Sequence, residues 1–288
     1  MGANDVIVKA WNGVLFDKLC RFEGVIDAIN RQATRAVLDL EPMALGERVL
    51  DIGSGFGAST RLLAEAVGPA GRVLGVDCAE NFVVKARAAA TAESGSRVEY
   101  RLADAQADPL GGPYSAAFST FGTTFFTAPG AAFRNIRSAL APGAELTQVV
   151  WRQRRDNPWL HDAENCVRER VDRVRPEETD QVHCGPGPFS MAGADTVSDI
   201  LLGAGFERIR LERLDLNVRL GSDLDEAAEF AVQLGPAGEA IRLAGADTDG
   251  RRPDLLAAVR ETLKPRQDAD GAVRAPASAW VIRCRNPV

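Results

Sequence analysis

The stretch VLDIGSGFGAST, residues 49–60, sets Gly53, Gly55 and Gly57 at alternate positions after an apolar run and just beyond an acid, Asp51. Three glycines strip the turn of Cβ atoms and let a ligand approach the main chain. Leu62, Leu63, Ala66 and Val67 then return at helical spacing, so the turn joins a strand to a helix whose first N–H groups are unpaired. Such a turn can hold a polar or anionic group. The spacing discriminates between ligands: a dinucleotide turn reads G-x-G-x-x-G, whereas this one reads G-x-G-x-G with a carboxylate at the mouth of the strand. Asp51 would repel a pyrophosphate and would suit a ligand with a cationic end and no phosphate. Two more acids follow apolar runs, Asp77 after Val73, Leu74 and Val76, and Asp104 within RLADAQADPL. His161 and His183 are the two histidines and the candidate catalytic bases, since imidazole titrates near neutral pH. Their separation is not that of metal ligands, and the five cysteines contain no C-x-x-C pair, so no metal is expected.

The elements that must position these groups alternate along the chain. Strands are expected at 48–52, 72–76, 97–102, 115–119 and 145–151, with helices at 58–67, 80–90 and 129–140, and glycine or proline at most joints. That alternation predicts an α/β fold with a mostly parallel sheet and helices on both faces, binding ligands at the carboxyl ends of its strands. Trp11, Leu15, Leu19 and Phe22, then Val25, Ile26, Ile29, Ala33, Val37 and Leu38, predict two helices forming an N-terminal cap over 1–42. The core is expected over 43–151. Residues 152–190 break the pattern with many charges, one helix near 160–173 and the run HCGPGPFSM, and are read as a lid insertion. Over 191–288 the core sheet resumes, with a helix at 193–203, a strand at 206–216 and a last strand around Trp280, Ile282 and Cys284. A helical insertion is expected at about 222–264, opened by a capping box at Ser222 and Asp225.

The glycine turn, with Asp51 before it and Asp77 twenty residues after Gly57, resembles the cofactor motif of class I S-adenosylmethionine-dependent methyltransferases. The resemblance implies a Rossmann-like, seven-stranded sheet and S-adenosylmethionine as cofactor. It places Gly53, Gly55 and Gly57 at the methionine part, Asp51 near its amino group, Asp77 at the ribose hydroxyls and Asp104 at the adenine. Ser54, Cys78, Ala105 and Ser119 complete the expected cofactor contacts. Phe121-Gly122 and Phe125-Phe126, followed by Trp151 and Asn157-Pro158-Trp159, are similar to a small-molecule branch related to the quinone C-methylases, with Thr120 where that branch often has Arg. By that likeness Phe121, Phe125 and Trp151, with Trp11 and Phe16 from the N-terminal cap, are expected to wall the acceptor pocket.

The expected reaction is in-line methyl transfer to oxygen or carbon of a small, partly apolar metabolite. It asks the protein mainly to align acceptor and methyl and to exclude water. A non-catalytic S-adenosylmethionine-binding module that regulates or scaffolds is the second reading. The chain is 288 residues long and 45% hydrophobic, enough for a full core. With a net charge of −6 and no basic stripe, nucleic acid is not an expected partner. No leader-like start and no membrane-length apolar run are visible, so a cytoplasmic location is expected. A homo-oligomer is compatible with the sequence.

Overall fold

The computed structural model describes residues 3–93, 97–171, 186–245 and 250–288. Seven strands form one sheet: β1 (Arg48–Ile52), β2 (Arg72–Asp77), β3 (Val98–Leu102), β4 (Tyr114–Thr120), β5 (Leu140–Trp151), β6 (Glu207–Gly221) and β7 (Val273–Arg285). Their order is β3-β2-β1-β4-β5-β7-β6, parallel from β3 to β5, with β7 antiparallel to both of its neighbours. This is the expected Rossmann-like architecture. Helix-covered parallel strands must be apolar on both faces, and in β1 Val49, Leu50 and Ile52 are all buried. The strand order reverses between β1 and β4, which opens a crevice at their carboxyl ends.

One face of the sheet carries α3 (Glu23–Leu40), α4 (Ala58–Ala66) and α5 (Glu80–Glu93), and the other carries α6 (Pro129–Ser138) and α8 (Ala194–Gly203). The N-terminal region forms three helices rather than two, because α1 (Ala3–Trp11) and α2 (Val14–Arg21) are separated at Asn12-Gly13 and α3 starts after Phe22. Glycine is a poor interior helix residue, and the Asn12 side chain bonds back to the Val8 carbonyl, closing α1 there. Strand β5 begins at Leu140 rather than 145, pairing Leu140 with Tyr114 across a register shift that accommodates Pro142-Gly143.

Helix α7 (Pro158–Arg168), within 152–190, packs against α9 (Leu224–Gln233), α10 (Pro236–Ala244), α11 (Arg252–Leu263) and β7. Buried Asn157 pins its start: its Nδ2 donates to the Ser278 carbonyl at 3.1 Å and its Oδ1 accepts from Ser278 N at 3.0 Å. The cap of α9 lies one residue later than the sequence predicts. Asp223 accepts from Glu226 N at 2.8 Å, and Glu226 in turn accepts from Ser222 N and Oγ. Among the described residues no helix is long and apolar enough to cross a membrane.

Candidate functional site

A cleft at the carboxyl ends of β1, β2 and β4 encloses about 970 Å³ counted out to its open mouth. Its polar lining comes from Gly53, Gly55, Asp77, Cys78, Asp104, Ala105 and Gln106. Its apolar lining includes Ile7, Trp11, Leu19, Ile26, Phe121, Phe125 and Phe126, with Asn30 and Thr120 among the polar exceptions.

The three glycines of the turn differ in what they make room for. All have positive φ, at +68°, +51° and +82° for Gly53, Gly55 and Gly57. A Cβ on Gly53 would lie 2.8 Å from Gly122 Cα, so this glycine lets β1 close against the turn after β4. On Gly57 it would lie 2.2 Å from the Tyr100 hydroxyl, so Gly57 serves helix packing rather than the cleft, which it does not line. Only at Gly55 does a Cβ meet nothing within 4 Å, because that space belongs to the cleft.

Asp77 braces this loop. Its Oδ2 accepts from Gly55 N and its Oδ1 from Ala79 N, both at 2.9 Å. Burial raises its pKa, and the N–H groups of Ala79, Gly55 and Cys78 pull it back. Each oxygen keeps a further lone pair. The Cys78 thiol is pushed up to about 12 by burial and by the charges of Asp77 and Asp104, so it stays protonated. Asp104 Oδ1 accepts from Gln106 N at 2.9 Å, and Gln106 Oε1 accepts from Thr127 Oγ1 and Ala128 N.

Asp51 is set behind the cleft, fully buried, with Oδ2 accepting from Ser59 Oγ at 2.7 Å and Thr60 Oγ1 at 2.6 Å. Its Oδ1 and the Ser54 Oγ are buried without partners among the described residues. Ser119 Oγ donates to the Ile52 carbonyl at 2.8 Å, tying β4 to β1, and does not line the cleft.

In the apolar lining Trp11 and Phe125 meet edge to face at 4.8 Å. Phe16 packs on Phe82 at 5.0 Å, outside the lining. Trp151 lies beneath the cleft wall, stacked on Phe121 at 4.1 Å and backed edge-on by Trp159. His161 is not brought to the cleft: it sits on α7, where its Nε2 bonds Asn165 Nδ2 at 3.1 Å. His183 lies outside the described residues. Among the described residues, none of 152–190 lines the cleft, although Gly187 N and Ser190 Oγ both donate to the Thr124 carbonyl and so brace the 121–126 segment from outside. Sequence reasoning missed Asn30, Phe56, Phe82 and Gln106. Asn30 sits on an amphipathic helix whose spacing signals packing alone, while Gln106 follows Asp104 closely enough to have been found.

The polar lining suits a phosphate-free, cationic ligand. Among the described residues it has two carboxylates, Asp77 and Asp104, and no lysine or arginine, and the empty Cβ position at Gly55 leaves the main chain open to close approach. No group of three or more potential metal ligands occurs among the described residues.

Residues 49–143 match the methyltransferase domain family. The chain is 34% identical over 227 residues to nocamycin O-methyltransferase of Saccharothrix syringae, spanning 73% of this chain and 77% of that one. It is 31% identical over 172 residues to aklanonic acid methyltransferase of Streptomyces sp. strain C5, spanning 46% of this chain and 77% of that one. In fold it is similar to the crystal structure of a putative methyltransferase from Bacillus halodurans C-125. The TM-score is 0.54 at 15% identity, covering 88% of this chain and 99% of the other.

Proposed function

The chain belongs to the class I S-adenosylmethionine-dependent methyltransferases, and we propose that it methylates an oxygen of a small acceptor built on an apolar ring system. The observation that carries this reading is the continuity of the cleft, in which one space runs from the glycine loop and its acids to a wall of Trp11, Phe121 and Phe125. Oxygen rather than carbon is favoured by the likeness to an O-methyltransferase over most of both chains.

When bound, S-adenosylmethionine supplies a methyl group already activated by the positively charged sulfur. The chain's own residues then have three tasks. Gly53 and Gly55 present bare backbone, and Asp77 offers its remaining lone pairs to hydroxyl donors while holding Gly55 in place. Asp104 and Ala105 also border the cleft and would flank the cofactor's heteroaromatic ring. Trp11, Phe121 and Phe125 exclude water and hold the acceptor's flat body, and alignment of this kind supplies a large share of the rate in displacement reactions.

Asp77→Ala is expected to weaken S-adenosylhomocysteine binding by about 1.5–3 kcal/mol, the range for hydrogen bonds to a charged group. Calorimetric titration reads this directly, and an unchanged affinity would remove Asp77 from the ribose. His161→Ala is expected to keep the wild-type turnover, since its ring is engaged on α7 away from the cleft. A loss of about 10²-fold or more would instead make it a general base. The reaction itself is tested with methyl-labelled S-adenosylmethionine and a panel of aromatic acids, phenols and enolised diketones. Label on an acceptor oxygen is expected. Tight S-adenosylhomocysteine binding with no label transferred to any of them would favour the non-catalytic module.

A further inference from the structure

The cleft's two acids come from the ends of β2 and β3, and another part of its wall is built on α3. Ile26, Asn30 and Thr34 are spaced four apart and share one face of that helix. Ile26 and Asn30 line the cleft. Thr34 is buried one turn farther on, and its hydroxyl shares a 2.9 Å hydrogen bond with that of Thr120, which lines the cleft from the end of β4. That pair uses one hydroxyl proton of two, leaving the other for a further partner. The half-buried carboxamide of Asn30 has no hydrogen bond to any described residue. Among Trp11, Leu19, Ile26, Phe121 and Phe125, it and Thr120 are the polar points by which an apolar ligand can be oriented.

We propose that Asn30 is the specificity-determining residue for the acceptor, donating from Nδ2 to a delocalised, anionic oxygen pair, a carboxylate or the enolate of a 1,3-dicarbonyl, carried on an apolar ring. The proposal rests on the methyl-transfer reading above. Two features of the cleft favour an anion at this wall. Asn30 and Thr120 both offer donors without carrying charge, and Asp77 and Asp104, at the ends of β2 and β3, would repel an anionic group placed beside them, which leaves the donors on α3 and β4 to hold it. The chemistry balances without a protein base. An ionised oxygen has already released its proton to water, its lone pair forms the new C–O bond, and the electrons of the S–CH3 bond pass to sulfur as the neutral thioether leaves.

The test uses the full chain saturated with S-adenosylhomocysteine, and two probes of similar shape, 2-naphthoate and the neutral ketone 2-acetylnaphthalene, titrated calorimetrically into wild type, Asn30→Ala and Asn30→Asp. Wild type is expected to bind 2-naphthoate about tenfold or more tightly than the ketone. Asn30→Ala should lose about 10- to 100-fold of the naphthoate affinity, the span of a charge-assisted hydrogen bond. Asn30→Asp should lose more, because it sets a carboxylate against a carboxylate. Affinity for S-adenosylhomocysteine should be the same in all three. Equal naphthoate binding by wild type and Asn30→Ala, tighter binding by Asn30→Asp, or a wild-type preference for the ketone overturns the proposal. Failure of S-adenosylhomocysteine to bind wild type would instead overturn the methyl-transfer reading beneath it.

Discussion

Removing residues 1–13 is expected to leave S-adenosylhomocysteine affinity within about threefold of the intact chain while methyl transfer falls by about 100-fold or more, the size of effect that misplacing a reactant produces. The asymmetry follows from what α1 touches. It adds Ile7 and Trp11 to the apolar lining of the cleft, whereas the groups of the polar lining, Gly53, Gly55, Asp77 and Asp104, all come from the ends of β1 to β3. Trp11 packs on Phe82 and Phe125, and Asn12 accepts hydrogen bonds from Asn81 N at its Oδ1 and from Asn81 Nδ2 at its carbonyl. Cutting at residue 13 spares Phe22, a core residue that packs on Phe230 at 5.4 Å. Trp11→Ala is the milder counterpart and should show the same split between cofactor affinity and turnover. Parallel titration and label-transfer assays decide the matter: equal loss of both would mean that α1 supports the cofactor loop, and full activity would remove it from the acceptor site.

The parts of this site that the sequence makes legible are those where backbone geometry restricts residue choice. Three positive-φ glycines after a buried strand have few explanations, and acids at the ends of successive strands point to a ligand at the sheet's edge. The pattern cannot say which glycine serves which neighbour. Gly57 yields to Tyr100, more than forty residues away in sequence, and that contact exists only once β3 and α4 are assembled. The aromatic residues are ambiguous for a related reason. Phe121 and Trp151 stack on each other, yet only Phe121 faces the cleft, and composition does not distinguish a wall from the ring behind it. Asn30 is hidden most completely, since a single polar residue in the helical pattern of α3 reads as an interruption of the apolar stripe. The break between α1 and α2 is obscured by apolar residues that continue at near-helical intervals across Gly13.

Replacing Asp51 with asparagine is expected to stabilise the cofactor-free protein and weaken its hold on the cofactor. Asp51 has no solvent-exposed surface, and desolvation lifts its pKa to about 6 against the hydroxyl bonds from Thr60 and Ser59, with the nearby charge of Asp77 adding to the rise. An aspartate in the unfolded chain titrates near 3.8. Between those values the native state binds the proton more strongly than the unfolded state does, so the contribution to stability is full below the lower pKa and is lost as pH rises through the upper one. A difference of about two pKa units corresponds to about 3 kcal/mol near pH 7.5, and the same linkage leaves about 1 kcal/mol near pH 4.5. The substituted carboxamide would keep an oxygen facing Ser59 and Thr60 without the charge, so Asp51→Asn should gain stability over wild type by about those amounts at the two pH values. Urea unfolding at both pH values measures the gap, and a gap of equal size at each would mean that ionisation is not its source. The cost of a buried carboxylate is offset where a cation binds in front of it, and Asp51 stands directly behind the glycine loop with one oxygen unpartnered among the described residues. Wild-type affinity for S-adenosylhomocysteine, whose amino group stays charged across this range, should therefore rise with pH through about 6, while Asp51→Asn binds more weakly and with a flatter profile. Matching profiles for the two proteins would reduce Asp51 to an anchor for the first turn of α4.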